Sequence, residues 1–178
     1  MMGVAYREGY IQDSGDRTQF KTGAVRDLQG NDKGSFHLVP LDIVAELFED
    51  SNIVEILRSL QRFIDEGDVD YLKMTIVFFA EYEETTIPKL MREVSIHYRD
   101  GAKKYKPHNW KLGIPISSFV SSSVRHLMKH IDNQKDEAHD RAFIWNLLGA
   151  WWTMEHKPEM DDLAEFRNHV ADIGKNGE

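Results

Sequence analysis

From residue 41 onward, apolar residues recur at the spacing of one face of an α-helix, and this period constrains the fold more than any other feature. Ile43 and Leu47 lie four residues apart, which places them on one buried stripe. The same spacing resumes after Ser51, a residue type that favours the N-cap, and continues to Gly67, a residue type that favours the C-terminal end. The pattern predicts an all-α fold.

The rest of the chain predicts further helices, which together make a compact helical domain of about six helices with an extended N-terminal arm. Residues 71–79 are expected to be helical because their neighbours are, although residues 74–79 also have the propensity of a strand. A helix capped by Thr85 or Thr86 should end near Asp100-Gly101, which leaves residues 101–115 as a long loop. The last helices are expected from Ser117 or Ser118 to Ile131, from about Asp136 to Glu155, and from Pro158 to near Gly174.

The first 40 residues are rich in glycine and polar residues and lack a helical period, so they predict an arm of loops or extended chain. The 178 residues are too few for two ordinary domains. The expected organisation is an arm of residues 1–40 that packs on a single helical domain of residues 41–178. Within that domain, residues 50–90 are expected to be an inserted pair of helices.

Composition excludes several classes of function. A net charge of −8 argues against binding to duplex nucleic acid, which relies on lysine and arginine to neutralise phosphates. The chain has no cysteine, so disulfides and thiolate metal sites are excluded. The first ten residues lack the apolar stretch of a signal peptide, and the sequence has no run of about 18 apolar residues. We therefore expect a cytoplasmic protein with no membrane contact.

Residues 97–146 concentrate imidazoles, carboxylates, lysines and an arginine, which are the groups that a site for a metal ion and phosphates needs. Taken singly, a histidine is more often packed or solvent-facing than a ligand. His126 and His139 stand out because they adjoin Arg125 and the pair Asp136-Glu137. The lysines of residues 101–110 suit phosphate, but taken alone they equally suit a solvated face.

Two classes of metal-dependent phosphohydrolase share parts of this pattern. The adjacent His139-Asp140 pair is typical of HD phosphohydrolases, in which His97 would be an earlier ligand. The helical nucleotide pyrophosphatases of the MazG type need two acidic motifs on two helices. This chain matches only the first of them, at Glu46-x-x-Glu49.

Several motifs follow one another in a fixed order across two separated blocks, residues 16–40 and 94–152. They are Phe20-x-Thr22-Gly23-Ala24-Val25-Arg26-Asp27, Leu38-Val39-Pro40, His97-Tyr98-x-x-Gly101-Ala102-Lys103-Lys104-Tyr105, Asn109-Trp110-x-x-Gly113, Ser123-x-Arg125-His126 and Asp136-Glu137-x-His139-x-x-Ala142-x-x-Trp145-Asn146. In these motifs the chain resembles the phage and bacterial family of dATP/dGTP diphosphohydrolases.

The resemblance implies hydrolysis of a purine deoxynucleoside triphosphate, dATP or dGTP, to the monophosphate and pyrophosphate. It implies a divalent metal (Mg²⁺, Mn²⁺, Co²⁺ or Zn²⁺) and water that the metal activates for attack on the α-phosphorus. The biological role that it implies is control of a phage's nucleotide pool. A non-catalytic protein that sequesters a nucleotide is the alternative, and a protein that serves only assembly is a third reading.

Site residues are carried over by position from the resemblance. The implied catalytic residues are His126, Asp136, Glu137 and His139. The implied metal ligands are His97, His126, Glu137, His139 and Asp140. The implied substrate-binding residues are Arg26, Lys103, Lys104, Asn109, Trp110, Arg125 and Asn146, with Lys33 as a further cation of the arm. Because helical hydrolases of this kind often oligomerise, we also expect a homo-oligomer.

Overall fold

The structure is a computed structural model, and it describes residues 17–27 and 33–169. Two short strands form an antiparallel hairpin, in which Arg17 pairs with Asp27 and Gln19 pairs with Val25. Six α-helices follow and confirm the helical fold. The strands are β1 (Arg17–Gln19) and β2 (Val25–Asp27), and the helices are α1 (Leu41–Ala45), α2 (Ser51–Glu66), α3 (Asp70–Tyr82), α4 (Ile87–Tyr105), α5 (Ile116–Ile131) and α6 (His139–His156).

Short 3-10 turns at Phe36–Leu38, Asn109–Leu112 and Pro158–Met160 join these elements. Residues 164–169 are also helical, and the expected helix end near Gly174 lies outside the described residues. No helix in the described ranges has the length and apolarity needed to cross a bilayer. The division into an arm of residues 1–40 and a helical domain of residues 41–178 stays a prediction.

The predicted helix boundaries differ from the observed ones at several places. Helix α5 begins at Ile116 rather than at Ser117 or Ser118, and Pro158 opens a 3-10 turn, so the last helix begins only at residue 164. Asp50, and not Ser51, caps α2, because its carboxylate accepts the backbone N–H groups of Asn52 and Ile53 at 2.9 and 3.2 Å. Helix α4 does not end at Asp100-Gly101 but continues to Tyr105. Helix α6 begins at His139, so residues 136–138 precede it. Gly67 ends α2 in the left-handed conformation, as predicted.

The core lies where α5 crosses α6, with α4 and α3 packed on α6 and α2 packed on α3. Phe119 of α5 and Phe143 of α6 are fully buried there. Gly149 lets the two helices approach closely, because a Cβ atom at this position would lie 2.4 Å from Cε1 of Phe119. The close approach brings the N-terminal half of α6 beside the polar residues of α5.

Two helical glycines give a matched test of this packing. Gly149→Ala should lower the free energy of unfolding by about 1–3 kcal/mol, because the new methyl group overpacks the α5–α6 contact. Gly101→Ala should raise it by about 0.5–1 kcal/mol, since a Cβ atom there meets nothing within 4 Å and alanine is the better helix former. Urea denaturation in the presence of a chelator measures both. A loss of stability in Gly101→Ala would mean that α4 ends where the sequence pattern placed its end.

Candidate active site

Three side chains from α5, α6 and the segment between them bring their ligand atoms within 4.8 Å of one another. They are His126 on α5, Glu137 in the connecting segment and His139 at the first position of α6. The Nδ1 atoms of the two histidines lie 3.0 Å apart, and both rings are buried. Two imidazole nitrogens and a carboxylate oxygen that converge in this way form a donor set for a divalent cation. We call these three residues the donor group.

A carboxylate outside the donor group orients His139. The Oδ1 atom of Asp136 lies 2.8 Å from Nε2 of His139, and Lys129 donates to the other oxygen of Asp136 at 2.8 Å. The hydrogen bond from Lys129, followed by that from His139, lowers the pKa of Asp136 to about 2. The ionised carboxylate therefore holds the proton of His139 on Nε2. The lone pair on Nδ1 of His139 then faces the other two donors.

Burial sets the charge of the donor group. It lowers the pKa of His126 well below its ordinary value, with a further contribution from Arg125, and it also lowers the pKa of His139. Both rings are neutral at pH 7, which is the form that binds a metal. Burial, and then the charge of Asp136, raises the pKa of Glu137 to about 7. A cation between these groups would offset the cost of keeping this carboxylate ionised.

The donor group borders a cleft that three cationic side chains also line. Arg26 and Lys33 come from the N-terminal segment, and Arg125 comes from α5, next to His126. Ser122, one turn before His126, accepts a hydrogen bond from Arg125 at 3.1 Å. We call this space the polar cleft. Cations and metal donors that line one cleft suit a polyphosphate ester.

Arg26 occupies a central position in the polar cleft. Its Nη2 atom donates to Oδ1 of Asn146 at 2.5 Å, and its guanidinium carbon lies 5.4 Å from the ring centre of Phe119 and 5.7 Å from that of Trp145. Its buried Nη1 atom has no hydrogen-bond partner among the residues that the structure describes. Burial, and then the charge of Arg125, lowers the pKa of Arg26 to about 10. A buried N–H donor that lacks an acceptor favours the binding of an anion.

Two predicted metal ligands lie outside the donor group. His97 lines the polar cleft, but its ring packs 5.9 Å from that of Trp145, and burial followed by the charge of Arg141 lowers its pKa to about 4. Asp140 is buried at the start of α6 and does not line the cleft. The structure therefore does not bring either residue to the other three donors. Helix register explains this, since Asp140 points away from the face that His139 presents.

The lysines at the end of α4 do not line the polar cleft, contrary to the phosphate-binding role predicted for residues 101–110. Lys103 is 71% exposed and lies 3.4 Å from Asp100. Lys104 is buried and donates to Asp27 of β2 at 2.8 Å, and the hydroxyl of Tyr105 donates to the same carboxylate at 2.5 Å. Lys104 and Tyr105 hold the hairpin on α4 instead.

Asn109 and Trp110 also have structural contacts. Asn109 accepts the backbone N–H of Val25 at 2.8 Å and donates to its carbonyl oxygen at 2.7 Å, so its amide holds β2. Trp110 packs edge-on against Tyr98 and Trp152, with ring centres 5.8 and 5.1 Å away. The hydrogen bonds of Asn109 attach β2 to the loop, and the substrate-binding role implied by the resemblance stays a prediction.

The sequence reasoning missed the hydroxyl residues of the polar cleft, Thr18, Ser118 and Ser122. A signal for two of them was present. Ser118 and Ser122 precede His126 by eight and four residues, so all three share one face of α5. The sequence pattern singled out Ser118 only as a possible start of that helix and did not single out Ser122.

Comparison with known families agrees with the motifs. The family described as dATP/dGTP diphosphohydrolase, N-terminal, matches residues 65–163, which is more than half of the chain. The chain belongs to this family. The matched range contains the whole donor group and Arg125, and it includes residues 65–90, which the sequence pattern had assigned to an insertion. Arg26 and the hairpin precede it. No curated protein and no solved structure matches the chain.

Proposed function

We propose that this protein hydrolyses purine deoxynucleoside triphosphates, dATP or dGTP, to the monophosphate and pyrophosphate with the help of a divalent metal. Membership of the diphosphohydrolase family supports the class of reaction. The rest of the proposal depends on one observation. Two residues of the donor group, His126 and Glu137, line the same cleft as the cations Arg26, Lys33 and Arg125. Hydrolysis of a triphosphate ester needs both groups, the donors to hold a metal and the cations to neutralise the phosphate charge.

The donor group fits a divalent ion. Its two imidazoles are neutral, their Nδ1 atoms approach to 3.0 Å, and Asp136 fixes the tautomer of His139. Nitrogen donors favour Mn²⁺, Co²⁺ or Zn²⁺ over Mg²⁺, which prefers oxygen. His126, Glu137 and His139 would hold the ion, which would supply Lewis-acid charge to a phosphate oxygen and acidify water.

The chain's own residues supply the remaining chemistry. Arg125 and Lys33 neutralise the triphosphate and the charge that develops on the departing pyrophosphate. Arg26 donates from Nη1 to a phosphate oxygen, which satisfies its buried N–H group. The carboxylate oxygen of Glu137 that does not hold the ion accepts the proton of the attacking water.

A nucleotide screen tests this function. Each of dATP, dGTP, dCTP and dTTP is incubated with Mg²⁺, Mn²⁺, Co²⁺ or Zn²⁺ in ¹⁸O-water, and the products are separated and weighed by mass spectrometry. We expect dATP and dGTP to yield monophosphate and pyrophosphate, with the heavy oxygen in the monophosphate, because water attacks the α-phosphorus. Chelation of the metal should stop the reaction. Recovery of every triphosphate intact, with tight binding by calorimetry, would instead support nucleotide sequestration.

The proposal includes the biological setting that the sequence predicted. We propose a role in control of a phage's deoxynucleotide pool, in the host cytoplasm. We also propose that the protein acts as a homo-oligomer. Both points rest on the family resemblance, and both stay predictions.

A further inference from the structure

A second cavity, of about 230 Å³, adjoins the polar cleft, and we call it the aromatic cavity. Its wall contains the rings of Tyr98, Trp110 and Trp145, and it also contains Ala102 and Pro107. The two cavities share four residues, Arg26, Gly101, Tyr105 and Trp145. The two cavities therefore adjoin each other at these residues.

The wall of the aromatic cavity offers ring surfaces, together with the polar residues Arg99, Lys106 and His108 near the C-terminal end of α4. The amide of Asn109 is the group that would best read the edge of a base, but both of its ends already bind the backbone of Val25. Tyr98 keeps a neutral hydroxyl, because burial raises its pKa to about 12. Such a wall recognises a flat aromatic ring by stacking and shape.

Arg26 marks the boundary between the two cavities, since it lines both of them. Among the described residues its buried Nη1 atom has no hydrogen-bond partner, so the boundary favours a negatively charged group. Gly101 lies at the same boundary, where a Cβ atom would meet nothing within 4 Å. Aromatic rings line one of the two cavities that meet at Arg26, and Glu137 lines the other. A nucleotide likewise carries a base at one end and phosphates at the other, joined through its sugar, so its α-phosphate would lie at Arg26 in the cleft that contains Glu137.

We infer that the aromatic cavity of Tyr98, Ala102, Trp110 and Trp145 binds the nucleobase of the substrate, with the α-phosphate at Arg26. The inference rests on the proposed function. Because the wall stacks on the base, it selects two-ring bases over one-ring bases. Because the amide of Asn109 is already hydrogen-bonded to Val25, the wall accepts adenine and guanine alike. The basis of the purine preference is thus the size of the stacked ring.

Binding of the monophosphate tests the inference without depending on turnover. Ala102→Leu fills the aromatic cavity from a helical position that tolerates leucine, and calorimetry measures its affinity for dAMP, dCMP and tripolyphosphate in the presence of Mn²⁺. We expect dAMP to bind the wild type more tightly than dCMP does, and the variant to lose roughly 10- to 100-fold of that affinity, as when one base stack is removed. Tripolyphosphate, which has no base, should bind both proteins within about twofold.

Ser95→Leu is the matched control, because it adds the same side chain to an exposed position of α4 outside both cavities. Trp110→Leu is a second variant, which removes a ring from the wall. It should likewise weaken the binding of dAMP and leave the binding of tripolyphosphate unchanged. Unchanged dAMP binding in both folded variants would overturn the inference, as would equal losses for dAMP and tripolyphosphate or no dAMP binding to the wild type.

The outcomes separate the two proposals. If no triphosphate is cleaved but Ala102→Leu selectively loses affinity for dAMP, the proposed hydrolysis is wrong and the base site is supported. If dATP is cleaved and the KM of Ala102→Leu matches that of the wild type, the hydrolysis stands and the base site is wrong.

Discussion

Replacement of His139 by alanine should abolish turnover and metal binding together. The variant removes one of three donors and also the partner that fixes Asp136. We expect kcat to fall by roughly 10²–10⁴-fold, and Mn²⁺ affinity to fall by more than the roughly 10–100-fold that loss of an outer partner costs. Calorimetry with Mn²⁺ and the dATP assay measure the two effects separately.

Two further variants calibrate this result. Asp136→Asn keeps the donor but loses the charge that orients it, so its Mn²⁺ affinity should lie between those of the wild type and His139→Ala. His156→Ala removes an exposed imidazole from the other end of α6 and should leave both quantities unchanged. Full Mn²⁺ affinity in a folded His139→Ala protein would remove this residue from the metal site.

Glu137→Gln should inactivate the enzyme and at the same time stabilise its metal-free fold. Burial raises the pKa of Glu137 from 4.5 to about 7, so the ionised carboxylate costs the folded state on the order of 3 kcal/mol above pH 7. Glutamine is neutral and of similar volume, so it avoids this cost. Turnover should fall by roughly 10²–10⁴-fold, because glutamine accepts no proton.

The sign of the pH dependence follows from the raised pKa. The contribution of Glu137 to stability is fully present below pH 4.5 and is lost as the pH rises through 7. The stability gained by Glu137→Gln should therefore be near zero at pH 4.5, grow between pH 4.5 and 7, and level off above 7. Urea denaturation with a chelator, at several pH values, measures the difference. Glu165→Gln, at an exposed position, is the control, and a gain that does not change with pH would contradict the explanation.

Local sequence determined most of the helices but not all of their ends. The apolar period found α2 and α5 because a buried stripe needs only local spacing to be recognised. The sequence pattern predicted that α4 ends near Gly101, because glycine is common at the C-terminal end of a helix. The helix instead continues to Tyr105 and ends there because the next residue, Lys106, has a φ of 77°. The small hairpin had no periodic signal, since its six strand residues are held by side chains of α4 and the loop that follows.

The sequence named His126, Glu137 and His139 because each adjoins other charged or metal-binding residues, and the structure brings their ligand atoms together. The phosphate-binding role of the lysines of α4 stays a prediction, because charge alone does not show which way a helix faces. Lys104 faces the hairpin, and its charge meets Asp27 rather than the polar cleft. That orientation depends on contacts between residues far apart in sequence.

The hydrogen bond between Arg26 and Asn146 joins the hairpin to α6, across 120 positions of the sequence. Because the proposed phosphate site uses Arg26, substrate binding and docking of the hairpin are thermodynamically linked. In the proposed function, phosphates contact Arg26 of the hairpin and Arg125 of α5 together, so they would bind only when the hairpin is docked. They would therefore stabilise docking by the same free energy that docking contributes to their affinity. Lys104 holds Asp27 of the hairpin from outside both cavities, so its loss would weaken nucleotide binding without removing a contact to the nucleotide. The helical core can stay folded while the site is disassembled at its edge.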